Sequence, residues 1–287
     1  MLGQFLVIGA FILWGIAPLY FHYVEIDSIM HMMALRILWQ CGFVLGALKL
    51  SGFNFGQLNR ISLPSLGYTA LAGLVLNISW YGFIYALTNN LVLSSSLAYF
   101  ICPLLVIAVS ALFFSEPLSR TQKLAISVML LALLWLVINN ASNLWLPMMI
   151  AVAFASYYVL RKKSELHGSR SIAVEHLAQL ILVPCILVFY PDWTVESLLD
   201  LQSTAVIVTG IQVVPVLLLT LAVNRVPLQQ IGIIQYIEPT LHFAIGYLVF
   251  KEHLNSDMLI SMIGIWLAIL IWLLPFIRRA RKQFLAN

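Results

Sequence analysis

Long stretches of the chain are apolar without interruption, and polar residues come in short clusters between them. The period-two alternation of a half-buried strand is missing, and the runs are too long and too evenly apolar for helices of a soluble domain. A helix that crosses a bilayer needs about 20 predominantly apolar residues. Runs of that kind occupy approximately 3–24, 28–50, 65–88, 91–114, 120–139, 144–162, 171–190, 203–224, 229–250 and 257–278. Polar or turn-rich segments part them at Ser51 to Pro64, Arg161 to Arg170 and Pro191 to Gln202. Thr88-Asn89-Asn90 is so short that the helices it joins must be antiparallel neighbours. Continuous apolar runs also exclude a transmembrane β-barrel, whose strands alternate. The pattern predicts an all-α integral membrane protein of ten transmembrane helices. Met1 leads into the first run without a basic stretch or a small-residue cleavage site, so this run is read as a spanning helix and not a signal peptide.

Composition agrees with the pattern. Of 287 residues, 62% are hydrophobic and only 9% charged, with a mean hydropathy of +0.99; a soluble domain carries about 25% charge. The formal net charge of +4 is no nucleic-acid signature, and no nucleic-acid partner is expected. The placement of the basic residues carries the information. With the N-terminus cytoplasmic, 13 of the 15 Lys and Arg fall in inner segments, among them Arg60, Arg120, Lys123, Arg161, Lys162, Lys163, Arg170 and Arg225. Lys251 alone falls outside and Arg36 lies within a span, while Glu25, Asp27, Asp192, Glu196, Asp200, Glu252 and Asp257 fall outside. Both termini are then cytoplasmic. Cys41, Cys102 and Cys185 lie in apolar runs without paired or metal-ligand spacing, so neither a metal site nor a cofactor is expected.

The two halves repeat each other. Tyr99-Phe100-Ile101-Cys102-Pro103-Leu104 followed by Glu116-Pro117-Leu118 matches Tyr236-Ile237-Glu238-Pro239-Thr240-Leu241 followed by Glu252-His253-Leu254. The offset is 136 positions for Pro103 and Pro239, Glu116 and Glu252, Leu118 and Leu254, and Ala86 and Ala222. A unit of five helices is odd, so the second copy must insert upside down. Two inverted repeats, 1–142 and 143–287, are the expected domains. Inverted repeats are common in secondary transporters, with substrate bound near the midplane where the copies meet. A proline inside a helix frees the carbonyl four residues earlier, so Pro103 and Pro239 are expected to kink helices 4 and 9 and to free the carbonyls of Tyr99 and Gln235 toward a cavity or a neighbouring helix.

At these residues the sequence resembles the drug/metabolite transporter superfamily, in its ten-helix EamA-type branch, and within it the RarD group associated with chloramphenicol sensitivity. The stretches that carry the resemblance are Phe11-Ile12-Leu13-Trp14-Gly15-Ile16-Ala17-Pro18, Arg36-Ile37-Leu38-Trp39, Asn89-Asn90, Ser96 to Leu104, Arg161-Lys162-Lys163, Val214-Pro215 and Gln235 to Thr240. Three positions depart from the group's pattern: Ser94 where an acid is frequent, Cys102 where Asn is common, and Glu238 where a small residue is common. The resemblance implies two EamA-like halves, export of small organic solutes and a multi-pass protein of the bacterial inner membrane. It does not imply a particular cargo.

Candidate substrate-binding residues are polar or aromatic groups at mid-depth. Glu238 sits nine residues into helix 9, about 13.5 Å at 1.5 Å per residue. An ionisable group at that depth is expensive and is read as functional by default, as a proton carrier, as the counter-charge of a cationic substrate, or as a structural carboxyl paired with Arg36. Arg36, near the middle of helix 2, needs a partner for the same reason and could instead bind a substrate carboxylate. Gln235, Glu238 and His242 fall at i, i+3 and i+7 and share one face of helix 9. Trp14, Tyr81, Tyr99, Tyr157 and Tyr236 are too deep for an interfacial belt; each is core packing or part of an amphipathic wall. Asn77 is a further polar candidate in helix 3. His176 beside Glu175 is expected at the membrane interface. Ser261, Gly264 and Ala268 form a small-residue stripe on helix 10 suited to close packing within a monomer or in a weak dimer.

The function expected is secondary active or facilitative transport, as an exporter, of small organic metabolites (amino-acid-like or amphiphilic compounds) by alternating access. The partners expected are a small-molecule substrate, the lipid bilayer and, as a candidate coupling ion, protons. A channel or a non-transporting scaffold is the alternative. An intramembrane enzyme is disfavoured, since no metalloprotease, nucleophile-elbow or phosphate-loop motif is present.

Overall fold

The computed structural model describes residues 2–21, 28–89, 92–114, 118–139, 145–189, 194, 204–249, 251 and 256–286. Among them the regular structure is helical throughout. The first half holds α1 (Leu2–Gly15), α2 (Ala17–Phe21), α3 (Ile29–Leu50), a 3₁₀ turn (Phe55–Arg60), α4 (Leu63–Thr88), α5 (Val92–Phe113) and α6 (Arg120–Asn139). The second holds α7 (Trp145–Lys163), α8 (Gly168–Gln179), α9 (Leu182–Phe189), α10 (Thr204–Ala222), α11 (Leu228–Ile234), α12 (Ile237–Leu248) and α13 (Ser256–Ala286). Glu116, Glu252 and Leu254 of the repeat, and the acids Glu25, Asp27, Asp192, Glu196 and Asp200, lie outside the described residues.

Helix starts follow from local chemistry. Ser28 caps α3 by accepting the His31 N–H at 3.4 Å. Ser119 and Gln122 form a reciprocal capping box ahead of α6, at 2.8 and 3.3 Å, so two otherwise orphaned donors are satisfied together. Three expected spans are each broken once, between α1 and α2, α8 and α9, and α11 and α12. A proline lies just beyond every break: Pro18, Pro184 and Pro239. Each removes the N–H that would have bonded the carbonyl four residues back. The freed carbonyls find partners, as backbone within a bilayer must. Trp14 O lies 3.2 Å from His242 Nε2, Leu180 O accepts Val183 N–H at 3.2 Å, and Gln235 O accepts Glu238 N–H at 3.1 Å. The Gln235 carbonyl is therefore not free for a ligand: a tight three-residue turn consumes it. Helix α5 runs unbroken through Pro103.

Five helical runs, 2–20, 29–50, 63–86, 120–139 and 168–189, are each long and apolar enough to cross a membrane, and 98–113, 206–222 and 259–275 are shorter apolar runs. Leu50, Leu63 and Ile138 are 91%, 81% and 73% exposed, a surface that water would not tolerate on a stable monomer and that hydrocarbon does. This is a multi-pass helical membrane protein.

Helix α7 packs against α4 and α5, and α1 packs against α10, α11 and α12. Helix α8 lies on α4 and α3, α10 lies on α3, α5 crosses α11, and α6 pairs with α13. Close approach rests on small residues. A Cβ on Gly232 of α11 would stand 2.9 Å from Pro103 O of α5, and one on Gly264 of α13 would stand 2.8 Å from the Cβ of Ala132 in α6. The stripe of Ser261, Gly264 and Ala268 thus packs within the chain. Segments expected on the cytoplasmic side meet at one pole: Gln4 bonds Gln230 at 2.8 Å, Gln122 bonds Gln229 at 3.2 Å, Lys162 reaches Val226 O at 3.2 Å, and Ser164 joins Thr69 at 2.6 Å.

Candidate functional site: a central aromatic cavity with one carboxylate

Helices α1, α2, α4, α5, α7, α10 and α12 leave a partly open cavity between them. Helices α1 and α2 contribute Trp14 and Ala17, α4 contributes Ser79, Trp80 and Phe83, and α5 contributes Ala98, Tyr99 and Cys102. From the second half come Ile150 and Phe154 of α7, Gln212 of α10, and Glu238 and His242 of α12.

The walls are aromatic and mostly edge-to-face, the arrangement that ring quadrupoles favour. Trp80 meets Phe83 at 6.0 Å, Phe83 meets Tyr99 at 6.3 Å, and Tyr99 meets the His242 imidazole at 5.2 Å. Opposite them Trp14 meets Phe154 at 5.9 Å. Glu238 stands on the first turn of α12, where the Pro239 break turns it into the cavity. It is 5% exposed, and among the described residues its carboxylate has no hydrogen-bond donor and no ion-pair partner.

Of the residues singled out from sequence, Trp14, Tyr99, Glu238 and His242 line this space, and the other six do not. Arg36 does not pair with Glu238: its guanidinium donates to Gln40 at 2.7 Å and to Asn77, and lies 4.7 Å from the Trp80 ring. Arg36 and Asn77 therefore form a layer behind the Trp80 wall. Tyr157 is buried with its hydroxyl 3.4 Å from Thr220, and Tyr81 packs against Tyr85. Gln235 donates to Cys102 Sγ at 3.2 Å, and Tyr236 donates to Phe100 O at 3.2 Å; both are spent on the α5 crossing. Trp80, Phe83, Phe154, Ser79 and Gln212 went unread in the sequence. Gln212 alone carried a signal, as a lone amide in an apolar run.

A second polar region corrects two further expectations. Arg161, counted among the loop charges, and Glu175 and His176, expected at the interface, are all completely buried. Arg161 Nε lies 3.3 Å from Glu175 Oε2, and its other nitrogens reach Ser171 Oγ and the Thr220 carbonyl. His176 donates from Nδ1 to Ile172 O at 2.9 Å. A charge at the end of an apolar run can be buried where an opposite charge on a neighbouring helix meets it, and Glu175 of α8 does so.

A multi-pass helical body with a partly open, aromatic-walled cavity suits a membrane transporter, and the relatives carry that role in their names. The chain is 29% identical to the RarD protein of Streptomyces exfoliatus, over 96% of this chain and 89% of that protein. It is 29% identical to RarD of Salmonella typhi over 98% and 97%, and 29% identical to an uncharacterised transporter of Pseudomonas aeruginosa over 98% and 96%. Over nearly its whole length the chain is thus similar to RarD proteins and to transporters. No protein-family model matches it. One experimentally solved chain has the same fold, with a TM-score of 0.69 at 17% identity over 94% of this chain and 96% of that one.

Proposed function

We propose that the protein is a secondary or facilitative transporter that exports small organic solutes across the bacterial inner membrane by alternating access around the central cavity. In this reading ten spans form two inverted repeats, 1–142 and 143–287, with both termini cytoplasmic. One observation carries it: the helix packing repeats when the halves are exchanged. The third helix of each half packs on the first of the other (α4 with α7, α10 with α1), and so does the fourth (α5 with α7, α11 and α12 with α1). The third helix also packs on the second of the other half, as α4 with α8 and α10 with α3. Tyr236 even bonds the carbonyl of Phe100, the residue 136 positions earlier and its own counterpart in the repeat. A cavity on such an axis can open to either side by rocking one set of helices against the other.

Substrates in this reading are amino-acid-like or amphiphilic compounds that fit an aromatic wall. With no nucleotide-binding loop in the sequence, a gradient drives transport, and protons exchanged at Glu238 are the proposed coupling ion. Purified protein in liposomes tests the proposal. Solute flux that follows an imposed gradient and saturates supports it, whereas flux that never saturates indicates a channel. Chemical turnover without a gradient indicates an enzyme, and no flux of any solute by folded protein leaves a scaffold.

A further inference from the structure

The chemistry of the cavity narrows its ligand, given that the cavity is where substrate binds. We propose that it takes organic cations: protonated amines with a flat apolar body, the ammonium held by Glu238 and Gln212 and the body lying between Trp14, Phe154 and Phe83.

Among the polar groups facing the cavity, fixed acceptors outnumber fixed donors, and hydrogen-bond bookkeeping shows which they are. Tyr20 donates its one hydroxyl proton to Leu13 O at 3.2 Å, a group that can only accept. The 2.8 Å contact between Tyr20 and Gln212 must then be donated by Gln212 Nε2, which leaves Gln212 Oε1 as a buried acceptor without a partner. Similarly, His242 Nε2 must donate to the Trp14 carbonyl, and a neutral imidazole then has an acceptor left at Nδ1. Glu238 adds a carboxylate without a donor. The opposing inventory holds one fixed donor, the buried and unpartnered Trp14 indole N–H, beside the Tyr99 and Ser79 hydroxyls and the Cys102 thiol, which can each donate or accept.

A buried carboxylate and a buried amide oxygen left unsatisfied are costly, and an ammonium group answers both at once. It carries up to three N–H donors and a positive charge. The aromatic walls favour a cation over an anion, because ring faces carry negative potential. Arg36 is a cation close behind the cavity wall, 4.7 Å from the Trp80 ring. Its guanidinium lies beyond the Trp80 ring and spends N–H groups on Gln40 and Asn77, so among the described residues a substrate carboxylate entering the cavity meets no cation on its lining.

The test is equilibrium binding to the purified full-length chain in lipid nanodiscs. Radiolabelled tryptamine competes with phenethylamine (cation), phenylalanine (zwitterion), 2-phenylethanol (neutral) and phenylacetate (anion), which share one ring. Tryptamine should bind saturably, and phenethylamine should displace it at concentrations lower than the other three require by about tenfold or more. Glu238→Gln should weaken tryptamine by about tenfold or more while its melting temperature stays near that of the parent protein. Gln212→Glu, which adds a second carboxylate, should strengthen it. Equal competition by the neutral or anionic compound overturns the proposal, as does tryptamine binding unchanged in Glu238→Gln, or no binding to folded parent protein. Saturable liposome flux of other solutes without cation binding would leave transport standing and remove the cation class. Cation binding without flux would do the reverse.

Discussion

Two buried carboxylates in this protein meet opposite surroundings. Glu175 on α8 is completely inaccessible and faces the equally inaccessible Arg161 on α7, 3.3 Å away, with Tyr157, Ser171 and Thr220 around them. Glu238 on α12 is also buried, yet it faces the cavity and, among the described residues, no cation. Taking a charge out of water costs several kcal/mol, and only a partner restores it. In the first region the chain supplies the partner, so the pair fixes α7 against α8. In the second the described residues supply none, which in the proposed reading leaves the carboxyl to a ligand. One face of α7 joins the two regions: Phe154 at the cavity, Tyr157 stacked on it at 6.1 Å, and Arg161 in the pair.

The comparison is broken most severely at the pair. Glu175→Gln leaves Arg161 buried without a counter-charge and should cost about 3–5 kcal/mol, seen as a large fall in melting temperature and in monodisperse yield from detergent. Replacing both members, Arg161→Met with Glu175→Met, should recover most of that loss, since apolar replacements of a buried pair are often neutral. If the double variant is as unstable as the single one, the pair is not the unit described here. Next in size is the seat of the pair. A Cβ on Gly73 would stand 2.5 Å from the carbonyl oxygen of Glu175, and backbone cannot rotate away as a side chain can. Gly73→Ala should therefore cost about 1–3 kcal/mol by separating α4 from α8, measured by the same melts.

Glu238→Gln is the contrasting case. It removes a carboxylate that nothing in the chain satisfies, so stability should hold or rise while substrate flux falls by about tenfold or more, near 1.4 kcal/mol. If protons exchange at Glu238, the dependence of flux on pH should vanish in this variant as well; flux measured in liposomes at several pH values decides. A well-folded Glu238→Gln protein with unchanged flux and pH dependence would remove the distinction between the two carboxylates.

Much of this was legible in the sequence, for a physical reason. Hydrocarbon demands helices of fixed length, so apolar runs marked where helices lie; Pro239 marked one break, the breaks before Pro18 and Pro184 went unread, and Pro103, also expected to disturb its helix, interrupts nothing. The cavity was legible in part. Glu238 and His242 stood out because polar groups in an apolar run must face something other than lipid. Arg161 did not, because it ends an apolar run beside Lys162 and Lys163 and looks like its solvated neighbours. Only the packing of α7 and α8 on the same helix, α4, brings Glu175 to it, and that is a tertiary fact. Arg36 was legible as buried but not as partnered by Gln40 one turn away, Asn77 and Trp80. Phe83 and Phe154 resemble every other apolar residue until the helices around them are placed.

The smallest expected effect is at Trp14, and it separates a wall from a core most finely. Trp14 packs its ring on Phe11 at 5.5 Å and on Phe154 at 5.9 Å, contacts that a phenylalanine largely keeps. Its indole N–H is buried without an acceptor, a loss the folded chain already bears. Trp14→Phe removes that donor and some ring area. The area lost should be nearly offset by relief of the unsatisfied N–H, so stability should stay within about 0.5 kcal/mol of the parent. Ligand affinity should change with the ligand's own chemistry: an amine bearing a hydroxyl or ether that can accept the indole N–H should lose several-fold, and tryptamine, whose indole presents only a donor, should lose less. Equal losses for both ligands would mean that Trp14 contributes area alone. A drop in melting temperature of the size produced by Gly73→Ala would place Trp14 in the packed core and leave Phe154 and Phe83 to form the wall without it.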